Sequence, residues 1–113
     1  MTPTTHASNA TEPIYSSFGN DPDLGEIVEL FVEEMPSRIE ALVEQCNSGD
    51  WEGLRRTAHQ LKGAAGSYGF EEISPVAARL ERFVGAEEPE EQIRIAVERL
   101  VNMCERARAG GPS

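Results

Sequence analysis

The stretch DWEGLRRTAHQLKGAAGSYGF, residues 50–70, decides the fold because it contains a helix start, an apolar stripe and a helix end in one run. Asp50 is a favourable N-cap residue, and Gly66 and Gly69 supply a break at the other end. Apolar residues recur between them at steps of three or four positions: Trp51, Leu54, Ala58, Leu61 and Ala65. This spacing predicts one amphipathic helix with a single buried stripe.

The segments on either side predict further helices of the same kind. Upstream, Asp21 caps a long helix that ends near Asn47, and Pro36 predicts a kink near residues 33–36 rather than a stop. Downstream, two more helices are expected over about 70–84 and 88–107. No strand is expected. Short loops between four amphipathic helices predict an all-α fold, an antiparallel up-down four-helix bundle.

The two ends of the chain differ from this helical region. Residues 1–13 predict a flexible N-terminal tail, and residues 108–113 predict a flexible C-terminal tail. Between them, residues 14–107 form the expected domain, and Ile14 to Phe18 is expected to add one short helical turn. His6 falls in the N-terminal tail, where a lone histidine is expected to be solvated.

Composition limits the partners that this domain can have. The chain has 113 residues, of which 20 are acidic and 10 basic, so its formal charge is −10. Such acidity opposes binding to nucleic acid or to an anionic membrane surface. No apolar run approaches the roughly 18 to 20 residues that span a bilayer, so a soluble, cytoplasmic protein is expected. Cys46 and Cys104 fall at opposite ends of the predicted bundle, which makes a disulfide improbable.

Several sequence motifs of known chemistry are absent. The chain has no GxxxxGK[ST] phosphate loop, no GxGxxG turn, no GxSxG elbow and no HExxH pair. It also has no obvious set of metal ligands. Autonomous kinase activity and a resident cofactor are therefore not expected.

The exposed face of the helix over residues 51–66 is unusual. At about 100° per residue, His59 points away from the apolar stripe, and Glu52, Arg55, Lys62, Gly63 and Gly66 lie on its side of the helix. Three basic residues against one acidic residue give this segment a charge of +2. Each helical glycine costs roughly 1 kcal/mol relative to alanine, so helix stability does not explain the two glycines.

Two ambiguities stay open on this face. Gly63 either clears space for a partner or relieves helix packing. Gly66 either clears space for the partner or begins the end of the helix. Glu52 either orients the ring of His59 or forms an ordinary ion pair with Arg55, and the ion pair is favoured.

The run AHQLKGAA, residues 58–65, followed by Gly69-Phe70, resembles the signature of histidine-containing phosphotransfer (HPt) domains. The resemblance extends over about residues 14–107. Further matching positions are Phe31, Met35-Pro36, Ile39, Leu42, Asp50-Trp51 and Leu54. It implies a four-helix bundle whose exposed histidine accepts a phosphoryl group from an aspartyl phosphate on a receiver domain and passes it to another receiver.

The resemblance also implies roles for single residues. His59 is the expected phosphoacceptor, through Nε2, and Lys62 the expected electrostatic support of the phosphoryl group. Gly63 is expected to give clearance to the docked receiver and Gly69 to turn the chain into the next helix. Gln60 is a candidate for a hydrogen bond to the phosphoryl group or to the partner. Independently of the resemblance, Arg55 and Gly66 are expected binding residues because they share the exposed helix face with His59.

The implied partners are receiver domains of response regulators or hybrid kinases, which would supply Mg²⁺, and the chain itself is expected to be a monomer. Two other functions remain open. The first is an adaptor that binds a receiver or kinase domain without being phosphorylated. The second is a generic helical bundle that dimerises through its fourth helix. Replacing His59 by Gln separates the relay from the adaptor, because only an adaptor would keep its activity and its affinity.

Overall fold

The computed structural model describes residues 11–111, and these are mostly helical. The elements are β1 (Ile14–Tyr15), α1 (Gly25–Glu33), α2 (Met35–Ser48), α3 (Trp51–Ser67), α4 (Ile73–Gly85), α5 (Glu90–Arg106) and β2 (Ala107–Arg108). The all-α prediction is thus correct for helical content. Of the predicted tails, residues 1–10 and 112–113 lie outside the described residues.

The long first helix of the sequence prediction is divided into α1 and α2 by the single residue Glu34. Pro36 lies in the first turn of α2, where a backbone N–H has no helical partner to lose. The interruption falls within the predicted interval, and proline accounts for it. Helix α1 begins later than predicted, but the Asp21 carboxylate still accepts hydrogen bonds from the backbone N–H groups of Asp23 and Leu24, at 2.7 and 3.0 Å.

The core lies between the four longer helices. Helices α2 and α4 each contact both α3 and α5, while α1 packs on α2. Side chains at the centre are almost completely buried, among them Phe31, Leu42, Leu54, Leu61, Phe70, Ile73, Leu80 and Leu100. Helix α1 closes one side through Phe31, whose ring centroid lies 5.3 Å from that of Tyr68 and 5.3 Å from that of Phe70.

The two cysteines are free, as predicted, and both are buried. Cys46 lies near the end of α2, where the neighbouring Asn47 accepts a hydrogen bond of 3.1 Å from Arg94 of α5. Cys104 lies near the other end of α5. Burial raises the pKa of the Cys46 thiol and raises that of Cys104 to about 12, so both thiols stay protonated at neutral pH.

The predicted helical turn at Ile14 to Phe18 is wrong, and so is the expectation of no strand. Ile14 and Tyr15 are extended and pair in parallel with Ala107 and Arg108. Ile14 and Ala107 are both buried in the core, so this pairing covers apolar side chains while it satisfies backbone groups. Arg108, predicted to belong to the C-terminal tail, is therefore part of β2; the remaining domain bounds stay a prediction.

Candidate functional site

His59 is held on the outer face of α3. Asp50 caps this helix, since its Oδ1 accepts a hydrogen bond of 3.0 Å from the backbone N–H of Gly53. Trp51, at the start of the predicted apolar stripe, is half-buried. The other four residues of the stripe are completely buried and fix the rotation of α3: Leu54, Ala58, Leu61 and Ala65. His59 consequently faces outward, and 63% of its side chain is exposed.

A carboxylate from the next helix contacts the ring of His59. Oε2 of Glu81, on α4, lies 2.9 Å from Nδ1 of His59. A carboxylate can only accept, so Nδ1 is the donor, and the neutral ring is left with its free lone pair on Nε2. The Glu81 side chain is only 19% exposed, which means that the acceptor is fixed by the protein.

The second oxygen of the same carboxylate binds Lys62. Its Oε1 lies 2.9 Å from Nζ of Lys62, so one side chain joins His59 and Lys62, two residues of the predicted face. The hydrogen bond from Lys62 is the main reason why the pKa of Glu81 lies below its ordinary value, and the hydrogen bond from His59 adds to it. Partial burial acts in the opposite direction without cancelling these effects. Glu81 is therefore ionised at neutral pH.

Helix packing explains why Glu81 reaches His59. Ser74 Oγ, at the start of α4, donates a hydrogen bond of 3.0 Å to the backbone oxygen of Lys62. At the other end of α4, Gly85 faces Arg55, because a Cβ on Gly85 would lie 3.5 Å from Nε of that arginine. Residues earlier in α3 thus contact residues later in α4. Glu81 occupies the position on α4 that faces His59.

Glu52 does not have either role that the sequence suggested for it. Among residues 11–111 it forms no ion pair with Arg55 and no hydrogen bond with His59. Sequence reasoning missed Glu81, which lies 22 residues beyond His59. The one available signal was an acidic residue beside the buried Leu80 on the predicted third helix.

The three glycines of the predicted site have different surroundings. A Cβ on the exposed Gly63 would meet no atom within 4 Å, so the space beside Lys62 is open. A Cβ on Gly66 would meet Ser74 Oγ at 3.5 Å, an ordinary contact. Gly69 has φ +83°, and a Cβ there would lie 2.6 Å from Ser16 Oγ, so only glycine fits at this turn.

A shallow depression of about 340 Å³ lies beside the imidazole. It is lined by Glu52, Arg55, Arg56, His59 and Glu81. Arg55, an expected binding residue, thus lies next to His59, and Arg56 lies there without having been singled out. Gln60 is exposed but lies outside the depression, as do the glycines at positions 63 and 66.

In the neutral form of the ring, the arrangement offers the Nε2 lone pair as a nucleophile with cations around it. Lys62, Arg55 and Arg56 outnumber the carboxylates of Glu52 and Glu81, in a chain whose formal charge is −10. Residues 11–111 contain no group of three or more His, Cys, Asp or Glu residues that could hold a metal ion. None of the helices in the described part of the chain has the length and apolar character that a bilayer crossing requires.

Comparison with known protein families gives a match. The model of a family described as the Hpt domain matches residues 26–110, which is most of the chain and includes the whole of α2 to α5. No curated protein and no solved structure matches the chain.

Proposed function

The chain belongs to the Hpt domain family, and from that premise we propose that His59 accepts a phosphoryl group from an aspartyl phosphate of one receiver domain and passes it to another. Membership makes the chain a phosphocarrier module of histidine phosphotransfer in two-component signalling. The observation that supports phosphoryl transfer through His59 is the hydrogen bond between Nδ1 of this residue and Glu81. It leaves Nε2 as the nucleophilic atom of a ring that is 63% exposed.

The proposed step needs no base on this chain. The Nε2 lone pair attacks the phosphorus, the bond from phosphorus to the aspartyl oxygen breaks, and the electron pair leaves with the receiver carboxylate. The ring gains positive charge as the N–P bond forms, because Nδ1 keeps its proton. Glu81 stabilises that charge through its hydrogen bond, and Lys62 stabilises the negative phosphoryl oxygens. The reverse step returns the group to a receiver.

The receiver supplies the remaining chemistry in this proposal. A Mg²⁺ ion on the receiver would supply positive charge beside the phosphoryl group during transfer, and the receiver's acidic pocket would meet the cations around His59. Open space at Gly63 leaves room for the receiver backbone, and the exposed Gln60 and Gly66 lie at the edge of the contact. The chain acts as a monomer, without a cofactor and without autonomous kinase activity.

We propose, for the fold, that the four longer helices form an antiparallel up-down bundle. Contacts between α3 and α4 run in reverse order, with Lys62 near Ser74 and Arg55 near Gly85. A hydrogen bond between Asn47 and Arg94 likewise joins the end of α2 to the first half of α5. Short connections between consecutive helices favour the same topology.

The test is incubation of the full chain with the phosphorylated receiver domains of its host, followed by measurement of acid-labile phosphate. The chain has two histidines, so His6→Gln is the matched control for His59→Gln. We expect label on the wild-type chain and on His6→Gln, and none on His59→Gln.

Two outcomes would reject the relay. Absence of transfer from every receiver would contradict it directly. If His59→Gln instead kept full partner affinity and full cellular activity, the chain would be an adaptor that does not depend on phosphorylation.

A further inference from the structure

A second concave surface, which we call the acidic groove, lies between the start of α3 and the connection from α4 to α5. Its volume is about 600 Å³. The apolar part of the wall comprises Trp51, Val84 and Ile93, of which Trp51 is only half-buried. The polar part is dominated by Glu52, Glu87, Glu88 and Glu90.

The groove has an excess of negative charge. Glu90 is paired with Arg94 at 3.1 Å, but Glu52, Glu87 and Glu88 form no ion pair among residues 11–111. Arg55 is the cation in the lining. Apolar surface beside free carboxylates matches the two parts of a lysine or arginine side chain, a long apolar stem and a cationic head. A half-buried indole adds a face on which such a cation can stack.

Hydrogen bonds hold the backbone at Glu87 and Glu88. At the end of α4, the N–H of Glu87 bonds to Val84 O and the N–H of Glu88 bonds to Phe83 O, both at 3.0 Å. This is the hydrogen-bond pattern that ends a helix with one left-handed residue, usually glycine. Helices α2 and α3 end in the same pattern with Gly49 and Gly69, whereas α4 uses Glu87 at φ +55°.

A glutamate at this position lowers stability relative to glycine, because its Cβ is crowded in the left-handed region. Helix termination therefore does not account for the residue. Its carboxylate lines the acidic groove, which gives the side chain a use that the helix end does not provide.

The acidic groove is continuous with the site at His59. Glu52 and Arg55 line both the groove and the depression beside the imidazole. A receiver domain that covers His59 and contacts Glu52 or Arg55 therefore reaches the rim of the groove.

We propose that the acidic groove binds a lysine or arginine side chain of the receiver domain docked at His59, with its stem on Trp51 and its cation at Glu87 and Glu88. The proposal rests on the proposed function, since it takes the receiver as the partner. The groove thereby selects receivers whose basic residue reaches Glu87 and Glu88 while the phosphorylated aspartate lies at His59.

Trp51 is the only tryptophan of the chain, so its fluorescence reports directly on the groove. The first arm titrates the full chain with the blocked peptides acetyl-Leu-Arg-Leu-amide and acetyl-Leu-Glu-Leu-amide. We expect a saturable change in Trp51 emission with the arginine peptide alone. In the double variant Glu87→Gln/Glu88→Gln, the dissociation constant should rise by about threefold to tenfold. Glu40→Gln/Glu44→Gln, which removes two exposed charges from α2, is the matched control.

The second arm measures transfer from a phosphorylated receiver as its concentration is varied. The half-saturating concentration should rise in Glu87→Gln/Glu88→Gln, while the rate constant at saturation stays that of the wild type. Equal responses to the two peptides, or an unchanged half-saturating concentration in a wild-type protein that does transfer, would overturn the groove proposal alone. Absence of transfer in the wild type would overturn the proposed function and, with it, the receiver as occupant.

Discussion

Glu81 gives the sharpest test of the reasoning about the site. Glu81→Ala removes the acceptor at Nδ1 of His59, and Glu81→Gln keeps a neutral acceptor there. A hydrogen bond to a charged group contributes about 1.5–3 kcal/mol. The lower end applies because the imidazole is 63% exposed. A loss of about 1.5 kcal/mol in the transition state slows transfer roughly tenfold. Glu81→Gln should be slowed by about threefold, since a neutral hydrogen bond contributes roughly half as much.

The assay is rapid-quench measurement of the rate at which phosphate moves from a phosphorylated receiver to the chain. Saturating receiver separates the chemical step from docking. Glu52→Ala is the matched control, because Glu52 lines the same depression without touching His59. Far-UV circular dichroism and urea unfolding establish that each variant is folded.

The expected order of rates is wild type, then Glu81→Gln, then Glu81→Ala, with Glu52→Ala equal to wild type. A rate for Glu81→Ala within about twofold of wild type would show that the hydrogen bond does not support the nucleophile. An equal loss in Glu52→Ala would show that general negative charge, and not contact with Nδ1, is responsible.

Four further outcomes are expected. Lys62→Met should slow transfer by about tenfold in the same rapid-quench assay, because one exposed cation near the phosphoryl group is lost. Gly63→Ala should raise the free energy of unfolding by about 1 kcal/mol in urea, since its Cβ meets open space, whereas Gly63→Gln should raise the receiver concentration needed for half-maximal transfer. Gly69→Ala should lower the free energy of unfolding by at least about 1–2 kcal/mol, because φ is +83°; urea unfolding against Gly66→Ala checks this. The pKa of Glu81 is below its ordinary value of 4.5, so its stabilising effect is complete above that pH and is lost as the pH falls through the lower folded value. In urea unfolding from pH 7 downward, the difference in the free energy of unfolding between wild type and Glu81→Gln should therefore become smaller.

Features that depend on neighbouring residues could be predicted from the sequence. Asp50 marks the start of α3 and Gly69 the turn after it, because capping and left-handed geometry are properties of a few consecutive residues. The interruption at Glu34 follows in the same way from the missing N–H of Pro36. The outward direction of His59 follows from the buried stripe of its own helix.

Features that depend on two distant segments could not be predicted. The contact between Glu81 and His59 is set by the register of α4 on α3, which side-chain packing determines and no local pattern reveals. Pairing of Ile14 with Ala107 likewise needs two ends of the chain to meet. The apolar residues within 14–18 fit a helical turn as well as a strand, and only the tertiary partner decides between these two structures.

The parallel pairing of β1 with β2 brings the entry and the exit of the helical domain side by side. A polypeptide that enters and leaves at one place can be inserted into a surface loop of another protein without distortion of either. It can also be circularly permuted. Because the two strands are parallel, a linker from the end of β2 to the start of β1 has to run back along their length, about 7 Å for two extended residues, and across the roughly 5 Å between the strands. The order of the helices along the chain is thus separable from their arrangement around His59.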